Sequence, residues 1–204
     1  RPVTAAERTR QLERNLCWLV LVFTLLFYLG QVTVINAATA AVLAMLLRAC
    51  AQLGAGDSPR GLNLTAVLML ASAGCAGAAV LEPIFIVPAT VLQGAALVMA
   101  VRSFARIADW FGGRARWQRA RREAVAVLVA LLIVCGIDLA VSGADADLGF
   151  KSLHARLGQV VVAGSLLVVL YGVFRISLAF RDLRLRVRAA NRHAGQASTL
   201  TPHG

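Results

Sequence analysis

Six long apolar runs dominate the chain, at about 16–33, 35–53, 62–81, 84–107, 124–142 and 157–180. Each is long enough for an α-helix to cross about 30 Å of hydrocarbon at 1.5 Å per residue. In hydrocarbon every backbone N–H and C=O must find its partner within the protein, so an apolar run of this length is read as a helix. Composition agrees. Of the 204 residues, 59% are apolar and only 15% charged, against about 25% charged in a typical soluble chain. So few charges cannot coat a soluble domain of this size. A soluble enzyme, a disordered chain and a disulfide-stapled secreted domain are therefore excluded. The fold class is all-α, a polytopic membrane bundle of about six helices in three hairpins. One boundary has a competitor: a single long helix kinked at Gly30 also fits residues 16–53.

The charges give this bundle an orientation. The net charge is +11, and 20 of the 21 basic residues are arginine. With the N-terminus placed inside, 19 of the 21 fall in inner segments, and only Lys151 and Arg156 lie outside. Such a bias in short loops is the positive-inside signature. It implies an even number of spans, with both termini in the cytoplasm of a bacterial inner membrane. Trp18, Trp110 and Trp117 all fall at the inner boundary, where indoles anchor. Residues 1–15 then form a cytoplasmic segment, 16–180 the membrane domain, and 181–204 a basic amphipathic helix with a polar tail.

Chemistry-bearing motifs are sparse. Cys17, Cys50, Cys75 and Cys135 form no CxxC pair, and His154, His193 and His203 include no pair at matched depth. Neither metal-ligand spacing nor a bis-histidine haem site results, so no metal, cofactor or catalytic residue is assigned. Walker, HExxH, GxSxG and TVGYG patterns are absent. The arginines follow the membrane pattern rather than a nucleic-acid footprint, and the chain is not read as an enzyme.

A solute path needs polar groups inside the membrane, where a charge costs about 2.5–3.5 kcal/mol on insertion scales. Asp138 and Glu82 are the only ionisable candidates, both near the outer boundary. Gln31, Asn36, Gln93 and Gln159 complete the possible lining set. The same neutral groups can instead cross-link helices by hydrogen bonds. Ala71, Gly74, Cys75, Ala78 and Ala79 recur at the i, i+4 spacing that lets helix backbones approach closely. They are the expected packing or subunit-contact residues.

Two basic segments flank the spans. Arg114, Arg116, Arg119, Arg121 and Arg122 precede the fifth run, and Arg181, Arg184, Arg186 and Arg188 follow the sixth. Past Arg175 the apolar residues Ile176, Ala179, Phe180, Leu183 and Val187 keep helical spacing, which gives the segment one apolar face and one cationic face. Anionic lipid, at about 1 kcal/mol per basic residue, or a cytoplasmic partner is the expected contact. Two functions fit these features. One is a small channel or transporter, or a membrane subunit of one, acting as an oligomer. The other is a structural, assembly or sensory subunit that docks a partner or anionic lipid.

Overall fold

A computed structural model of the chain describes residues 5–29, 33–53, 58–112, 114–143 and 151–199. It contains six α-helices: α1 (Ala5–Leu29), α2 (Thr33–Leu53), α3 (Ser58–Ala78), α4 (Ile86–Trp110), α5 (Arg114–Gly143) and α6 (Lys151–Thr199). Four of them contain stretches long and apolar enough to cross a membrane, Val34–Leu53, Arg60–Ala78, Ile86–Trp110 and Gly158–His193. The chain thus has the make-up of an integral membrane protein.

The helices outrun the apolar blocks. α5 begins at Arg114, so the arginine run before the fifth block is helical and not a loop. α6 is a single helix of 49 residues, about 73 Å at 1.5 Å per residue. Arginine is a good helix former, so nothing at the edge of an apolar block compels the helix to stop. Proline acts differently. Pro83 opens a short 3₁₀ turn, Pro83–Phe85. Pro88 sits in the first turn of α4, where the missing N–H would have had no helical acceptor.

Each helix packs on its neighbours in sequence, and α6 returns to α1, closing a ring. Aromatic side chains fill its arginine-rich end. Phe180 of α6 is the hub, with its ring centroid 4.9 Å from Phe104, 5.1 Å from Trp117 and 6.2 Å from Phe23. The two shortest contacts are edge-to-face, the arrangement that the ring quadrupole favours. Trp117, expected as an interfacial anchor, is instead a buried core residue, whereas Trp18 and Trp110 are exposed.

The α2–α3–α4 side is built from small residues. Ala40, Ala44, Ala66, Ala76, Ala89, Ala96 and Ala100 are buried there, and Ser72 Oγ donates to the Ala89 carbonyl at 3.0 Å. Glycine permits close approach on the other side of the ring. A Cβ at Gly172 of α6 would run into Val127 Cγ2 and lie 3.4 Å from the Glu123 carbonyl oxygen.

Candidate functional site

α5 and α6 run antiparallel, and two ion pairs fix their register. Glu123 Oε1 lies 3.3 Å from Arg175 Nε, and Asp182 Oδ1 lies 2.9 Å from Arg116 Nη1. Seven residues separate Arg116 from Glu123, so the two pairs stand about 10 Å apart along the helices. Between them opens a groove of about 510 Å³, lined by Ala115, Arg116, Arg119, Ala120, Glu123, Arg175, Leu178, Arg181, Asp182 and Leu185.

The charges in the groove do not balance. Four guanidiniums face two carboxylates. Arg116 and Arg175 are paired, whereas Arg119 and Arg181 have no acidic partner among the described residues. One acceptor is also left over, since Glu123 Oε2 is buried without a hydrogen-bond donor. Two unpaired planar guanidiniums suit a phosphate or carboxylate, whose oxygens they can engage in bidentate fashion.

The frame around the groove is tied to two further helices, α4 and α1. Arg186 donates to Asp182 Oδ2 at 2.9 Å, and to the carbonyls of Phe111 and Gly112 at 3.2 and 3.1 Å. These carbonyls end α4, where Gly112 adopts φ +75°, the left-handed conformation that favours glycine after a helix. A guanidinium there also meets the negative end of the helix dipole. On α1, Glu13 accepts from Asn191 at 3.3 Å and pairs with Arg188 at 3.7 Å. The extension of α6 past Phe180 is thereby held to α1, α4 and α5.

The residues anticipated from sequence separate into distinct places. Arg116, Arg119 and Arg181 line the groove. Arg186 and Arg188 join the framing contacts. Arg121 and Arg122 are exposed outside the groove, and Arg184 is half-buried. The side chain of Arg114 lies outside the described residues. Asn36 and Gln93 meet: Gln93 Nε2 donates to Asn36 Oδ1, and both residues are buried between α2 and α4. Glu82 is exposed ahead of the 3₁₀ turn, and Gln159 is exposed on α6. Gln31 and the side chain of Asp138 lie outside the described residues.

On α3, Ala71 and Gly74 are exposed and Cys75 and Ala78 half-buried, and Ala79, just past the helix, is buried. A Cβ added at Gly74 would meet nothing within 4 Å. The inward face of α3 is carried by Leu62, Thr65, Met69, Ser72 and Ala76.

Glu123, Arg175 and Asp182 join the site through the packing of α5 on α6, although each leaves a trace in the sequence. Glu123 stands at the junction of an arginine run and an apolar block, and Arg175 is the one charge in the sixth block. Asp182 precedes Arg186 by the four residues that place an ion pair on one helix face. No protein-family model, no curated protein and no solved structure matches the chain.

Proposed function

We infer that this is a structural or docking membrane subunit, which holds an anionic group at the membrane surface in the groove between α5 and α6. In this reading the bundle crosses a bacterial inner membrane six times, both termini lie in the cytoplasm, and the groove faces the inner leaflet. The distribution of 19 of 21 basic residues supports the orientation. The observation that carries the function is the surplus of two guanidiniums, Arg119 and Arg181, between two ion-paired ends of one groove.

The competing reading, a solute path, draws less support. Among the described residues its polar candidates do not converge: Asn36 and Gln93 are hydrogen-bonded to one another, while Glu82 and Gln159 are exposed at separate places along the chain.

The test is thermal unfolding of the full chain in neutral detergent, with phosphatidylglycerol, inorganic phosphate or polyglutamate added. A ligand that binds only the folded state stabilises it by RT ln(1 + [L]/Kd). Saturable stabilisation by an anion, reduced in Arg119→Gln/Arg181→Gln, is the expected result. If no anion stabilises the chain, the docking function is wrong. If proteoliposomes pass ions or small solutes faster than protein-free vesicles, the solute path replaces it.

A further inference from the structure

The groove continues into an apolar stripe. On α6 the groove residues Leu178 and Leu185 are seven apart, and stepping back from Leu178 by seven and eleven residues keeps to the same helix face. Those steps reach Tyr171 and Leu167, and Phe174 flanks them. All three are exposed, Leu167 by 67%, Tyr171 by 61% and Phe174 by 53%. From Leu178 to Leu167 the stripe is about 16 Å long, about half the thickness of a bilayer core and so the depth of one leaflet. A cationic seat and an apolar strip of leaflet depth therefore share one face, with Arg175 stacked 5.9 Å from the Tyr171 ring centroid where they join.

We propose that this face binds an anionic glycerophospholipid, its phosphate between Arg119 and Arg181 and an acyl chain along Leu167, Tyr171 and Phe174. The proposal rests on the docking function above and names its ligand. Both parts of the face are needed for it: a free phosphate would leave the stripe unused, and an acidic peptide has no use for apolar surface at membrane depth. A second copy of the chain fits poorly. Two copies in the same orientation, related by a two-fold along the membrane normal, would bring identical levels together, setting Arg181 against Arg181 and Arg119 against Arg119.

The experiment is native mass spectrometry of the intact chain in neutral detergent, titrated with phosphatidylglycerol, phosphatidylcholine or glycerol 3-phosphate. Phosphatidylglycerol is expected to half-saturate at a concentration about tenfold or more below phosphatidylcholine, since only it keeps an unneutralised phosphate for the arginines. Arg119→Gln/Arg181→Gln should abolish that preference, Leu167→Ser/Phe174→Ser should weaken both lipids, and Arg121→Gln/Arg122→Gln should change nothing. Equal retention of the two lipids overturns the proposal. So does an equal loss in Arg121→Gln/Arg122→Gln, which would mean diffuse surface charge. Glycerol 3-phosphate competing at the concentration of phosphatidylglycerol would make the site a phosphate site, ending the lipid assignment but sparing the docking function. Disulfide cross-linking between copies through a Leu167→Cys variant in neutral lipid would assign the stripe to a second copy instead.

Discussion

Glu123 of α5 and Arg175 of α6 face each other at 3.3 Å, 52 residues apart in sequence, and close one end of the arginine groove. Their side chains are 20% and 37% exposed, so the pair is partly shielded from water and its charges are only partly screened. Glu123→Gln keeps the shape and removes the charge. The expected coupling in a Glu123→Gln/Arg175→Gln double-mutant cycle is about 0.5–1 kcal/mol, read from reversible unfolding in detergent. Strict additivity of the two substitutions would mean that the pair contributes nothing to the register of α5 on α6.

Asn36 and Gln93 offer a sharper contrast, because they are buried and satisfy one another. Asn36→Leu removes the acceptor of the buried Gln93 amide, at an expected cost of about 1–3 kcal/mol. Asn36→Leu/Gln93→Leu together should recover most of that loss. A single substitution without thermal effect would argue that the two groups are hydrated, as a solute path requires.

Gly172 and Gly74 should respond in opposite directions to alanine. A methyl at Gly172 meets Val127 Cγ2, and valine in a helix has little freedom to turn aside. Gly172→Ala is expected to destabilise by about 1–3 kcal/mol, and Val127→Ala should relieve it. At Gly74 the space is open, so alanine should stabilise by about 0.5–1 kcal/mol through a less flexible unfolded chain. Loss of an oligomer on Gly74→Ala, seen by size-exclusion light scattering, would instead place a subunit contact on the α3 stripe.

Gly112 and Arg186 form the lock between α4 and α6. At φ +75° a side chain is strained, so Gly112→Ala should cost about 1–2 kcal/mol. Arg186→Gln removes the donors to the Phe111 and Gly112 carbonyls and should add a loss of about 1 kcal/mol. Proteolysis at the α4–α5 turn is the second readout. Faster cleavage there in Arg186→Gln, at unchanged rates elsewhere, is expected. Uniform cleavage would show that the contact does not hold the turn.

How far these features could be read from sequence depends on how local they are. Helix identity is local, since a long apolar run has no other way to satisfy its backbone, and the arginine-rich end of the bundle is visible from spacing alone. The Asp182–Arg186 pair is also local, four residues apart on one face. Trp117 shows where this stops. Its position beside a block end suggests an interfacial anchor, but its burial depends on Phe104 and Phe180, which come from two other helices. The small residues around α3 show the same limit. Spacing puts Ala71 and Cys75 on one stripe and Gly74 and Ala78 on another, but does not say which packs inward.

Read from its residues alone, the protein is helical and suited to a membrane, and its arginines gather at one end of the apolar blocks. Those properties follow from backbone desolvation and charge burial, which each segment meets alone. The packing of one helix on another sets the rest: Asn36 meets Gln93 across 57 residues, Glu123 and Asp182 pair with Arg175 and Arg116, and Arg119 and Arg181 between them have no acidic partner among the described residues. A guanidinium looks the same in sequence whether paired or free, because its partner is set by the helix packed beside it.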